Sequence, residues 1–319
     1  MVHNNVIISI SITGMIITGS VQAVTILMAA IYFESLFFIL LMTSLQFVIF
    51  FGIAYLIIMK GKPELPDYKL IVILSGVFSA LMSILKMYAS NPARTPAVMQ
   101  SILSGLSILP NVLMTKIILK KKVRYDKRFI IPSVILMLAS IGISCIPIVS
   151  NWDVMAILWI SLYILGIVST SIYSVMQEKY FIETSDVTIK NKITIMFYTR
   201  LVHLIVVILC FWLEWVIGYS GSPLTEFADS VVAFFTNGKY AGYLEGFILA
   251  YVCFYIFSVL LNSISSNYNM MATIAIGPVI AIFFTAFPAL ICSVVSIILW
   301  VIGEKNDGYT ELIDNSINA

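Results

Sequence analysis

The sequence predicts an all-α polytopic membrane protein, with ten transmembrane helices arranged as two inverted five-helix repeats. Three observations lead there. Of 319 residues, 61% are hydrophobic and only 11% charged, where an average soluble domain carries roughly 25% charged residues. Mean hydropathy is +1.03. The apolar residues also fall into runs of membrane-spanning length, each needing about 20 residues, so that ten helices use about 200 and leave no room for a second, soluble domain. This composition excludes an ordinary soluble enzyme, a disordered regulator and a nucleic-acid-binding protein.

The first run extends from about Val6 to Tyr32 and ends at Glu34. No basic region with a small-residue cleavage site precedes it, so it is expected to be retained as a span. The second covers Phe37 to Met59 and stops at the polar turn Lys60, Lys62, Pro63, Glu64, Pro66, Asp67. The third covers Tyr68 to Ser90, and the fourth Ala97 to Leu119. A basic run, Lys120, Lys121, Lys122, Arg124, Lys127 and Arg128, leads into a fifth from Phe129 to Val149. The sixth spans Val154 to Val175, the seventh Ile193 to Ile217, and the eighth Tyr243 to Ile264 after a long loop at 218–242. From Asn267 to Ile302 no charge occurs. This stretch reads as two short spans meeting at Pro288, or as one long kinked helix.

Lysine and arginine in short loops set orientation. The loops after spans two, four and six are basic, and the alternate loops nearly bare. Both termini are therefore expected in the cytosol. The chain divides into residues 1–150, the first repeat, and 151–319, the second repeat with the lumenal loop 218–242 and a short cytosolic tail. An odd number of spans per repeat inverts the second copy, and inverted repeats place their binding sites near the midplane beside interrupted helices. Pro110 in span four and Gly277-Pro278 in span nine are matched helix breakers in the two halves. Membrane helices also tolerate such residues for packing reasons alone.

The segment Asn91-Pro92-Ala93-Arg94-Thr95-Pro96, with Gln100-Ser101 and Pro110 following, resembles the loop and fourth span of the chloroquine-resistance-transporter-like family of the drug/metabolite transporter superfamily. Gly277-Pro278 is similar to that family's ninth-span motif, Ser174 to Phe181 to its sixth-span exit, and Phe227 to Gly242 to its juxtamembrane helix. The resemblance implies a ten-span transporter, often of a vacuolar or lysosome-like acidic membrane. Such proteins export amino acids, small peptides, glutathione-type thiols or cationic drugs, driven by protons. Two features depart from the family. The long loop lacks paired cysteines, and spans nine and ten are compressed.

Gln100, Ser104, Ser107 and Asn111 fall at i, i+4, i+7 and i+11 on one face of span four, suited to a polar solute or to helix–helix contact. Gln22, with Thr18 and Thr25, gives span one a polar face, while Ser75, Ser79 and Ser83 in span three read as packing residues. Charge inside a span is expensive, so it is a functional candidate by default. Arg200 can hold a solute carboxylate bidentately, or pair with Glu183 or Asp186 at the interface. His203, three residues on, titrates in the range that separates an acidic lumen from the cytosol. Glu214 is a second protonation candidate, with placement at the interface beside Trp212 and Trp215 as the plainer reading. Lys86 reads as snorkelling to the lumenal surface.

The expectation is a carrier, not an enzyme, working without cofactor or metal, whose partners are a small-molecule solute, protons and the lipid bilayer, with no nucleic acid. A nucleotide-sugar or phosphate-ester exchanger of the same superfamily is the alternative. An intramembrane enzyme is disfavoured because no span carries paired carboxylates or an HExxH motif.

Overall fold

The structure is a computed structural model that describes residues 2–90, 94, 95, 100, 103, 107–120, 154–184, 188–216, 222–283 and 295, with parts of 131–139. Among these residues it is entirely helical. Six helices are long and apolar enough to cross a membrane. The helices are α1 (Val2–Tyr32), α2 (Leu36–Ile58), α3 (Lys69–Ala89), α4 (Ile108–Ile118), α5 (Val154–Thr184), α6 (Ile189–Leu209), α7 (Leu213–Val216), α8 (Pro223–Thr236), α9 (Gly238–Asn262) and α10 (Ser266–Phe283). The expected fifth and tenth spans, the basic run from Lys121 to Arg128, Ser104 and the C-terminal tail lie outside the described residues or nearly so.

Local chemistry fixes the helix starts. Ser35 caps α2, its hydroxyl accepting from the Phe38 amide at 3.2 Å. Thr188 caps α6 through the Asn191 amide. Asn237 closes α8 and opens α9, accepting from the amides of Lys239 and Tyr240. These bonds satisfy donors that the first helical turn leaves without intrahelical partners.

Several boundaries differ from those read off hydropathy. The sixth span, α5, runs nine residues past Val175 to Thr184. Its last turns contain helix-forming Met176, Gln177, Glu178 and Lys179, and they bury Tyr180 and Phe181. The seventh, α6, starts at Ile189 and stops at Leu209, with Cys210 to Trp212 turning into short α7. The 218–242 segment contains a helix, α8, opened by Pro223 in its first turn. Phe227, Val231 and Phe234, at i, i+4 and i+7, pack α8 against the core. No break occurs at Gly277-Pro278, since α10 runs through both. Pro110 lies in the first turn of α4, where its missing N–H breaks no hydrogen bond.

Packing joins distant parts of the chain. α1 lies along α9 and α3 along α5, α2 packs on α6, and α3 packs on α6 as well; α4 rests on α5 and α10 on α1. At the upper end, where α1, α3 and α6 finish, Phe37 meets Phe211 and Phe227, and Tyr32 stacks on Tyr240. At the lower end, Tyr55 stacks on Phe197 with centroids 5.0 Å apart. The Tyr55 hydroxyl accepts from the Glu64 amide and donates to the Glu64 carbonyl, tying the 60–67 turn across this end. A surface pair, Lys190 to Glu64 at 2.8 Å, joins α6 to the same turn.

Candidate functional site

A cavity of about 700 Å³ lies inside the bundle, walled by α1, α2, α3, α5, α6, α9 and α10. It reaches Ile31, Leu36 and Ser90 at the upper end and descends past Arg200 and Tyr255 to Ser258 and Asn269. Most of the wall is apolar. Thr43, Ser44 and Thr170 line it, but each hydroxyl donates to the carbonyl four residues back in its own helix.

Arg200 lines the cavity from α6. It is 3% exposed and its guanidinium lies 3.8 Å from the Tyr255 ring centre, 4.5 Å from Phe47 and 5.3 Å from Tyr251. Such contacts stabilise a desolvated cation by about 2 kcal/mol or less each, short of the several kcal/mol that burying an ion costs. Arg200 makes no ion pair with Glu183 or any other described residue, and its Nε has no hydrogen-bond partner. The interfacial pairing therefore does not form with Glu183, while Asp186 lies outside the described residues.

His203 stands beside it, its Nδ1 3.5 Å from an Arg200 terminal nitrogen and 3.0 Å from Ser79 Oγ. A guanidinium only donates, so Nδ1 is the acceptor and the imidazole is neutral with its proton on Nε2. Ser79 is thus part of the site and not only packing, and Ser83 lines the cavity above it.

Lys86 also lines the cavity. Gly166 on α5 makes room for it; a Cβ there would meet Lys86 Cγ at 2.8 Å. Lys86 has no ion pair among the described residues. Gln22 and Gln100 are on the wall too. The Gln100 amide nitrogen is engaged, donating to the carbonyls of Ser90 and Thr95, each at 2.7 Å. Among the described residues no Asp or Glu lines the cavity.

The rest of the span-four stripe has another role. Ser107 accepts through its carbonyl from Ser171, and Asn111 donates to Asn267 at 2.8 Å and to Ser266 at 3.4 Å. Both are buried, and neither lines the cavity. They join a polar joint where α9 gives way to α10. There Asn262 donates to Gln177 at 2.8 Å, Asn269 donates to Ser174 at 3.0 Å, and the Ser266 amide donates to Glu178 at 2.8 Å.

Glu214 does not line the cavity. It is fully buried at the upper end and accepts from the Phe37 amide at 2.8 Å and from Ser35 Oγ at 3.5 Å. Burial pushes its carboxyl above the ordinary carboxylate range, against the opposing hydrogen bonds from Phe37 and Tyr88. Its carboxylate sits at the positive N-terminus of α2, a bracing role. Arg94, likewise, holds its loop, donating to the Tyr88 carbonyl and stacking 3.9 Å over Trp159.

No protein-family model matches the chain, and no curated protein matches it. The site must be read from its own chemistry.

Proposed function

We propose that the chain is a secondary carrier that moves a small polar solute across an endomembrane through this cavity. The observation that carries the reading is a large void at mid-bundle whose wall comes from both halves of the chain and holds a buried arginine without a carboxylate partner among the described residues. A packing scaffold has no need to keep both.

The helix pairing supports two inverted five-helix repeats. Exchanging the first five spans for the last five turns α1 on α9 into α5 on α3, and α1 on α10 into α5 on α4. All four contacts are present, and α2 on α6 maps onto itself. Several pairings break the rule, and one stands out. α3 packs closely on α6, whereas its counterpart α9 touches α2 only lightly. Such asymmetry is what one of two access states of an inverted-repeat carrier requires. In this reading the upper end is lumenal, both termini are cytosolic, and the solute leaves an acidic compartment for the cytosol. That matches the resemblance to the chloroquine-resistance-transporter-like family, with amino acids and short or thiol peptides as solutes. Proton coupling would run through His203, which takes a proton beside Arg200 only when a solute anion offsets the arginine's charge.

Purified protein in proteoliposomes with an acidic interior tests this. Efflux of labelled acidic dipeptide should saturate and should rise with the proton gradient. Flux indifferent to the gradient removes the coupling, and absence of flux for every solute removes the carrier. Two cations in one cavity also favour the phosphate-ester exchanger as a second reading. Thermal stabilisation by nucleotide sugars and not by peptides would select it.

A further inference from the structure

We infer that the cavity is a two-point anion site, in which Arg200 and Lys86 hold the two ends of an elongated solute that is anionic at both ends. The inference rests on the carrier reading for its biological meaning but concerns binding, which is measured separately.

The charge inventory comes first. Arg200 and Lys86 both line the cavity, with neutral His203 beside the first. No described acid shares the wall, and neither cation has a carboxylate partner among the described residues. A buried, unpaired charge is retained against a large desolvation cost unless something pairs with it. Here the pairing group must come with the ligand. The same field repels a cationic solute, so the cavity as built disfavours the cationic drugs that the family resemblance implies.

The spacing follows from α3. Ser79 touches His203, which touches Arg200, so Ser79 marks the level of the guanidinium. Lys86 lies seven residues further along α3, a rise of about 10 Å at about 1.5 Å per residue. Side chains lean toward a helix N-terminus, which for α3 is the lower end, so the ammonium lies at or inside that distance. The wall between the two levels carries Ile26, Leu40, Met82 and Phe247, with Ser83 beside them and with Thr43 and Ser44, whose hydroxyls turn to their own helix. The middle of the ligand is therefore weakly polar, and its charge sits at its ends. Carboxylate and phosphate share this chemistry.

The test uses full-length protein in detergent and a ruler of linear dicarboxylates, succinate, suberate and sebacate, read by calorimetry. Octanoate serves as the single-ended control, 1,8-diaminooctane as the cationic control and fructose 1,6-bisphosphate as the phosphate arm. Suberate should bind about tenfold more tightly than succinate or octanoate, and the diamine should not bind. Lys86→Gln should bring suberate down to the affinity that octanoate shows in the same variant. Arg200→Gln should lose both; if that variant does not fold, the Lys86→Gln comparison decides alone. Tighter binding of the bisphosphate than of suberate, lost in Lys86→Gln, supports the site and assigns phosphate as its source. Equal binding of suberate and octanoate, or binding of the diamine, overturns the inference. In proteoliposomes, diamine flux without dicarboxylate flux would sink the anion site and leave the carrier. Binding without any flux would do the reverse.

Discussion

Glu214 carries two predictions at the scale of a single side chain. Its carboxylate is the partner of the Phe37 amide and braces the start of α2. Removing it in Glu214→Ala strands a buried donor and should destabilise the protein by about 1–3 kcal/mol, measured as a lowered unfolding midpoint in detergent. The pH dependence has a definite sign. Burial raises the folded-state pKa of Glu214 above its unfolded value, so the folded protein binds this proton more tightly. The stabilisation grows as pH falls through that raised pKa and is lost as pH rises above it. Between about pH 7 and about pH 5, the stability of wild type relative to Glu214→Gln should therefore shift in favour of wild type; a shift the other way contradicts the assignment. Arg200 and His203 were legible as candidates because charge inside an apolar run is conspicuous, whereas Lys86 read as snorkelling and its place on the cavity wall was not legible. The rings around Arg200 were not, since Phe47, Tyr251 and Tyr255 look like any other aromatic in a span. The available signal was the i, i+4 spacing of Tyr251 and Tyr255, which puts both on the face that meets the arginine.

At the scale of helices, α3 and α6 approach closely at Gly76. A Cβ on Gly76 would lie 2.9 Å from the Thr199 carbonyl oxygen and 2.5 Å from Val202 Cβ, and the backbone oxygen cannot move aside. Small residues let membrane helices come this near. Gly76→Ala should therefore push the helices apart and destabilise by about 1–3 kcal/mol, read in the same unfolding assay. An unchanged midpoint would mean that α3 and α6 are not held this closely. Most long helices were legible from hydropathy because an apolar run of spanning length has few other uses. What escaped were amphipathic pieces. In α8, half the surface is polar, so average hydropathy misses a helix that the spacing of Phe227, Val231 and Phe234 contains and that only the family resemblance suggested, over Phe227 to Gly242. The lower turns of α5 escaped for the same reason, and with them Gln177 and Glu178. The Ser107 and Asn111 half of the span-four stripe was correctly read as polar and one-faced, but periodicity alone does not say whether such a face meets a solute or another helix.

For the molecule as a whole, a carrier must open the lower end that the aromatic layer closes. Tyr55 and Phe197, stacked 5.0 Å apart, belong to α2 and α6. Cysteines at both positions, bridged by a bifunctional thiol reagent in a background lacking Cys145, Cys210, Cys253 and Cys292, should abolish flux and leave solute binding intact. Transport that persists across the bridge would show that this end does not need to part. The central claim is a water-filled cavity at mid-bundle, and thiol accessibility tests it most directly. In the same background, Ser83→Cys places a thiol on the cavity wall, and Ile53→Cys places one on an outward face of α2 that is 56% exposed in the bundle. A membrane-impermeant thiosulfonate should label the first and not the second, and suberate should protect the first. Failure to label Ser83→Cys, or equal labelling of both, would contradict the account.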